Sequence, residues 1–302
     1  MSDVHGAGLA FVDGRIVPVD EARIPLTETG FTKSDATYDV VSVWNGKFFR
    51  LADHLDRFER SCRSKRFALG YRRDDIERIL MSIVSESALR EAYVAMIATR
   101  GVPQGGQRDP RVLANRFYAY AVPYIWIVEP EQQAQGVSLH VSGIERISPR
   151  SIDPTVKNFH WGDLVAGQLE AHERGSTTVV LVDQLGNLTE GPGYNVFALI
   201  EGDLRTPAHG ILEGITRRTV IELAHSEQIA VAEVDIPAAD LVHAQEVFLT
   251  TTAGGLIPVV DVDGCKVGTG VPGPLTTKLK ELYWAAHDSP QFTTPVTYTR
   301  VE

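Results

Sequence analysis

Four short stretches carry residue types that could do chemistry. The first is TVKNFHWGD, residues 155–163, where Lys157 follows a proline-ended loop and precedes an aromatic, histidine-bearing turn. The chain holds only seven lysines, and this one is not on a helix rich in polar neighbours or in a hairpin turn. A lysine here can snorkel, its stem over apolar rings and its ammonium in water. Held indoors, the same amine loses charge more readily and becomes a nucleophile for Schiff-base chemistry. The second stretch is NLTEGPGYNVF, in which Glu190 precedes a Gly-Pro-Gly turn at a strand start. That carboxylate is either a solvated turn residue or an acid aimed inward to hold a proton on a heterocyclic nitrogen. The third is GITRRTV, 214–220, a glycine opening a helix whose first free amides belong to Ile215 and Thr216. Helix N-termini bind phosphate through such amides and the helix dipole, although an ordinary cap would look the same. The fourth is TTTAGG, 250–255, with hydroxyls at a strand end and two glycines that allow close backbone approach or simply a tight turn.

These stretches need elements to position them. AFVDGRIVPV and VVSVWNGKFFR read as hairpins turning at Asp13-Gly14 and Asn45-Gly46, the latter the strongest short-range hairpin signal. DHLDRFERSCRSKRF places Leu55, Phe58 and Cys62 on one helical face, and DDIERILMSIVSES is a second amphipathic helix with acids in its first turn. AYVAMIATRG and RFYAYAVPYIWIVE read as strands. Residues 125–136 read as an interdomain linker, because Pro130 and the polar run after it break the strand pattern. Beyond it strands and helices interleave: GVSLHVSGIER, a helix through LVAGQLEAHERG, TTVVLVD, YNVFALIEGD, a helix from GITRRTVIELA, EVFLTTT and a final PLTTKLKELYWAAH helix. The fold class is therefore α+β in two domains, a small one over 1–124 and a larger one over 137–302, with ligands expected at the junction.

The 302 residues are 43% hydrophobic and 23% charged, ordinary for a globular protein. The formal net charge of −10 argues against nucleic-acid and anionic-membrane partners. No apolar run approaches a membrane span, and MSDVHGAG is too polar for a signal peptide, so a soluble cytoplasmic protein is expected. Cys62 and Cys265 are too few and too far apart for a disulfide framework or a thiolate metal site, and no metal is expected. No Walker A, HExxH, CxxC or G-x-S-x-G pattern is present.

A reactive lysine, a pyridine-directed carboxylate and a phosphate cup are the three things pyridoxal 5′-phosphate asks of a protein. With DHLDRF, TVKNFHWGD, LTEGPGYNVF, GITRR and TTAGG in that order, the chain resembles the fold type IV pyridoxal-phosphate enzymes nearly end to end. These include branched-chain aminotransferases, D-amino-acid aminotransferases and aminodeoxychorismate lyases. SDATYDVVSVWNGKFFRLADH, DPTVKNFHWGDL and LTEGPG look most like the (R)-selective amine transaminases.

The resemblance implies that Lys157 carries the cofactor as an imine and shuttles the substrate proton, and that Glu190 keeps the pyridine nitrogen protonated. It implies that Arg57 of DHLDRF binds the phosphate, its fork suited to a bidentate contact, along with Ile215, Thr216 and Thr252, with Thr251 as a neighbour. Tyr38, Val40 and Ser42 match substrate-pocket positions on one face of a strand, and Tyr93 and Ala95 match a second strand. Branched-chain enzymes tend to place a basic residue at the position of Ser42 and an arginine at that of Ala95. Lys33 stands where amine transaminases usually have His or Arg, and Arg108 in the GGQRDP loop could swing in to hold a keto-acid carboxylate. The implied activity is transfer of an amino group from an (R)-amine to a 2-keto acid such as pyruvate, by a homodimer with its cofactor in the interdomain cleft. The alternatives are a D- or branched-chain amino-acid aminotransferase, then an aminodeoxychorismate lyase or a non-catalytic cofactor carrier.

Overall fold

The structure is a computed structural model that describes residues 8–298. The chain divides into two compact units, and neither is a simple continuous stretch. One comprises the chain up to Ile125 together with Val156–Phe159 and the stretch from His287 onward; the other comprises Trp126–Thr155 and His160–Ala286. The expected division followed chain order, with 137–302 as one domain. The lysine stretch and the last described residues instead join the first unit, because both pair with its strands.

The first unit contains β1 (Leu9–Val12), β2 (Arg15–Pro18), the short α1 (Thr29–Lys33), β3 (Ala36–Trp44), β4 (Lys47–Phe49), α2 (Leu51–Ser64), α3 (Arg73–Ser87), β5 (Ala92–Thr99) and β6 (Arg116–Pro123). Its sheet runs, in order, Thr293–Pro295, β4, β3, β5, β6, β1 and β2, with every pair antiparallel. The two hairpins turn where the sequence places them. Asp13 and Gly14 have φ of 48° and 77°, and Asn45 and Gly46 have 50° and 73°, the left-handed pair a type I′ turn requires. One sheet face is covered by α2 and α3: Leu55, Phe58 and Cys62, then Ile76, Leu80 and Ile83, pack with Val41, Val43, Val94, Met96 and Phe117. Each such fully buried side chain contributes roughly 1.5–3 kcal/mol.

The second unit contains α4 (Pro130–Gln135), β7 (Val137–Glu145), α5 (Gly162–Glu173), β8 (Thr178–Val182), β9 (Glu190–Gly191), β10 (Tyr194–Ile200), β11 (Asp203–Pro207), α6 (Ile215–Ser226), β12 (Val231–Val234), β13 (Glu246–Thr251), β14 (Gly255–Val262), β15 (Cys265–Lys266) and α7 (Pro274–Ala286). The sheet order is β12-β11-β10-β13-β14-β7-β8, with β9 beside β10 and β15 beside β14. β11/β12, β14/β7 and β7/β8 are parallel, and the remaining pairs are antiparallel. Pro130, expected to break structure, opens α4 at its first position, where its missing N–H costs nothing. Among the described residues no helix is long and apolar enough to cross a membrane, and no group of His, Cys, Asp and Glu is placed to hold a metal.

Candidate active site

In the first unit Lys157 is half-buried and its backbone is fastened to β3. Its carbonyl accepts from Thr37 Oγ1 at 2.5 Å and from the Tyr38 amide at 3.2 Å, while Asn158 forms a bridge with Thr37. Its Nζ lies 4.6 Å from the centre of the Tyr38 ring, which itself stacks on Phe159 at 4.4 Å. The amine is thus held over an aromatic face.

The pocket positions read from the sequence share one sheet face. Val40 pairs with Ala95, Ser42 with Tyr93 and Tyr38 with Ile97, and the next strand adds Tyr118, Tyr120 and Val122. Cross-strand partners point the same way, so these neighbours form a single wall. Burial raises the phenol pKa of Tyr93, with smaller contributions from Tyr120 and Asp39, and burial raises that of Tyr120, so both phenols are neutral. No basic side chain stands at any of these strand positions. A cavity of about 420 Å³ opens in this unit, lined among others by Ile97, Tyr118, Tyr120, Phe159 and Glu28. Glu28, missed in the sequence, is fully buried and accepts from Tyr118 Oη at 3.0 Å and the Gly101 amide at 3.2 Å. Lys33 ends α1 and is exposed, as is Arg108 in its loop.

Behind that wall, on the helix-covered face, lies a second group. Arg57 is buried, and its Nε and Nη2 donate to the two oxygens of Asp39 at 2.7 and 2.8 Å. His54 Nδ1 lies 2.8 Å from Asp39 Oδ1. His54 and Arg57, three apart on α2, therefore reach one carboxylate. Burial would raise the Asp39 pKa, but the charge and hydrogen bonds of Arg57, helped by His54, outweigh it and hold the carboxyl well below its usual range. Burial lowers the His54 pKa against the pull of Asp39, with Arg57 and Lys157 pushing the same way as burial. A guanidinium has five donors, enough to hold an anion besides this carboxylate. Asp39 and His54 were not singled out in the sequence. The signal was available: a lone carboxylate on the helix-facing side of an apolar strand demands a cation.

In the second unit Glu190 is buried on the two-residue β9, paired with Asn195 across a Pro192-Gly193 turn. Gly193 has φ of 86°, as the third position of a type II turn needs. Glu190 Oε2 accepts from the Leu212 amide at 2.8 Å, and Oε1 faces Arg146 at 3.3 Å. Asn195 Nδ2 donates to the Leu212 carbonyl at 2.9 Å, so Leu212, two residues before Gly214, is held at both its amide and its carbonyl. Arg146, another residue the sequence reading missed, also donates to Asp163 at 2.6 Å. Asp163 in turn accepts from the Ile147 amide at 2.8 Å.

That clamp delivers the chain into α6. Gly214 caps it with extended backbone; among the described residues no side chain caps its first amides, and its first turn carries no acid. A Cβ on Gly214 would sit 2.1 Å from Asn195 Oδ1, so the glycine lets the strand side chain reach in. Ile215 and Thr216 are buried at this end. Thr250, directly opposite Asn195, has a buried Oγ1 with no partner among the described residues. Thr251 is buried and its Oγ1 accepts from the Ala253 amide at 3.2 Å, while Thr252 follows in the turn and is half-buried. Uncapped amides, an orphaned hydroxyl and no acid in the first turn fit a phosphate. A buried, doubly held carboxylate fits a protonated ring nitrogen. The residues present therefore suit pyridoxal phosphate.

Comparison with known proteins agrees. Residues 36–262 match the family described as "Amino-transferase class IV". The chain is 31% identical over 294 residues to a "Probable branched-chain-amino-acid aminotransferase" of Aquifex aeolicus (strain VF5), covering 92% of this chain and 91% of the relative. It is 28% identical over 276 residues to the D-alanine aminotransferase of Listeria monocytogenes serotype 4b (strain F2365), covering 90% and 93%. The solved branched-chain amino acid aminotransferase from Thermobaculum terrenum, in its PLP-bound holo-form, superposes with a TM-score of 0.85 at 26% identity, covering 96% of this chain and 98% of that one. The chain belongs to the class IV aminotransferases, the fold type IV enzymes that work with pyridoxal 5′-phosphate.

Proposed function

We propose that this aminotransferase takes the amino group of an (R)-amine and passes it to a 2-keto acid such as pyruvate. The observation that carries this reading is the chemistry of the Tyr38 wall. Tyr38, Val40, Ser42, Tyr93 and Ala95 share it, and none is basic. A donor carboxylate packed against these five side chains would lose water without gaining a cation from any of them, at a cost of several kcal/mol. An aryl or alkyl amine meets no such cost there. The (R) preference rests on the resemblance alone.

When bound, pyridoxal phosphate supplies the electron sink that makes a C–H bond next to nitrogen acidic. In this reading Lys157 Nζ is the amine that holds the cofactor's aldehyde carbon and moves the proton at the substrate carbon. Glu190 holds a proton at the ring nitrogen, positioned by Arg146 and the Leu212 amide. Arg57, the amides of Ile215 and Thr216, and the hydroxyls of Thr251 and Thr252 bind the phosphate. Asp39 and His54 orient Arg57. Arg108 is the mobile cation for the keto-acid carboxylate, which an apolar wall cannot supply. The chain acts in the cytoplasm and as a homodimer, and the exposed apolar side chains Ile24, Leu26 and Phe31 of the first unit support the second of these.

A second reading, transfer from branched-chain or D-amino acids, is favoured by relatives of those descriptions and would use Lys33 or Arg108 for the donor carboxylate. The two separate in one experiment. The half-reactions of the purified holoenzyme are followed by cofactor absorbance with (R)-1-phenylethylamine, its (S) enantiomer, D-alanine and L-leucine. Fast conversion by the (R)-amine is expected. Fast conversion by L-leucine or D-alanine, with none by the (R)-amine, overturns the proposal in favour of the second reading.

A further inference from the structure

The second unit contains another cavity, of about 530 Å³, lined by Gln133 and Ala134 of α4, Pro258 of β14, Pro272, and Thr277, Lys280, Glu281 and Trp284 of α7. The four α7 residues stand at i, i+3, i+4 and i+7, so they form one stripe of the helix. Along that stripe the cavity meets a hydroxyl, an ammonium, a carboxylate and an indole in turn. The prolines and Ala134 complete an apolar surround.

Lys280 is the unusual member. It is half-buried, and its Nζ donates to a neutral amide oxygen, Gln133 Oε1, at 2.8 Å. Its immediate neighbour Glu281 is exposed. An ammonium and a carboxylate on consecutive residues, both lining one cavity, offer opposite charges to a ligand that itself carries opposite charges a few ångströms apart. Trp284 and the prolines offer the apolar part of such a ligand a surface.

We propose that this cavity is an effector site for an α-amino acid with an apolar side chain, its carboxylate on Lys280 and its ammonium on Glu281. Burial lowers the pKa of Lys280, so an arriving carboxylate stabilises a charge that its neutral partner Gln133 does not balance. The route from the cavity to the TTAGG turn is short. Gln133 is buried, and its Nε2 donates to the carbonyls of Val128 at 2.8 Å and Gly254 at 3.3 Å. Gly254 belongs to that turn, whose φ of 146° there and 70° at Gly255 only glycine adopts readily. Drawing Lys280 toward a bound carboxylate frees the Gln133 amide oxygen and alters the hold of its other end on the turn. Coupling of this kind needs only that the ligand differ in affinity between the two arrangements.

The test uses 1-aminocyclopentane-1-carboxylate, an apolar α-amino acid with no hydrogen on its α-carbon, so the enzyme cannot consume it. Binding to the holoenzyme is measured by equilibrium dialysis with labelled probe. Lys280→Met removes the cation, and Ala134→Phe fills the cavity from an exposed helix position, so the second variant decides should the first fail to fold. Both are expected to weaken probe binding by about tenfold or more while turnover at saturating donor is retained. Unchanged binding in either folded variant places the probe elsewhere and overturns the proposal, as does the absence of binding to the unaltered protein.

Discussion

Arg146 stands between two carboxylates, 2.6 Å from the half-buried Asp163 and 3.3 Å from the buried Glu190. The two contacts are unequal. Asp163 takes the shorter one and also accepts the Ile147 amide, so it anchors the guanidinium. Glu190 receives the longer one and is aimed instead by the Leu212 amide. One cation therefore faces two acids, with its nearer contact on Asp163.

Removing that cation should be costly. Arg146→Met leaves Asp163 and Glu190 their backbone amide donors but removes the cation they share, and breaking a buried pair typically costs about 3–5 kcal/mol. Denaturant unfolding of the variant should show a loss of that order, and Arg146→Lys should recover part of it. A loss below about 1 kcal/mol would mean that the carboxylates are effectively solvated.

Glu190→Gln should preserve the fold, because an amide oxygen still accepts from Leu212. It cannot hold a proton on a ring nitrogen in the same way. Positioned charge of this kind is worth about 10²–10³ in rate. Single-turnover conversion of bound cofactor should slow by that factor while cofactor stays bound. A variant within about threefold, under ~1 kcal/mol, would remove Glu190 from the mechanism.

The parts of this architecture that are visible in the sequence are the ones written in local patterns. Asp13-Gly14 and Asn45-Gly46 announce their turns because few residues tolerate positive φ. Leu55, Phe58 and Cys62 announce the buried face of α2 by spacing, and all three are buried. The motifs that hold Lys157, Glu190 and Thr216 are local patterns of the same kind. The polar pairs behind them are not. Asp39 meets partners 15 and 18 residues away, and Arg146 meets Glu190 across 44. Such pairing depends on register, which single-sequence patterns do not encode. The pairing of Thr293–Pro295 with β4 lies further still beyond local reading.

Asp39 offers a way to separate orientation from charge at Arg57. Arg57→Ala removes a charge-assisted contact worth about 1.5–3 kcal/mol and should weaken cofactor retention during dialysis. Asp39→Asn keeps the guanidinium but loosens its fork, and should weaken retention by a smaller factor. If Arg57→Ala leaves retention unchanged, Arg57 serves only the packing of α2 against β3.

The last prediction concerns pH and follows from His54. Burial holds its folded-state pKa below the ordinary value of 6.5, while the unfolded chain titrates near that value. At pH above 6.5 the ring is neutral in both states, and the stability it permits is fully present. As pH falls below 6.5 the unfolded chain takes up a proton that the folded protein resists, so stability declines toward the folded-state pKa. Asp39 acts in the same direction lower down, since its depressed pKa makes stability fall once pH drops below the ordinary 3.8. One proton can contribute a slope of at most about 1.4 kcal/mol per pH unit. Denaturant unfolding at about pH 7.5 and 5.5, either side of the ordinary value, isolates this residue from the other histidines when run on the unaltered protein and on His54→Gln. The glutamine variant should be less stable at the higher pH, through its poorer fit beside Asp39, yet lose less on acidification. Equal losses in the two proteins would show that His54 takes up its proton as readily in the fold as in the unfolded chain.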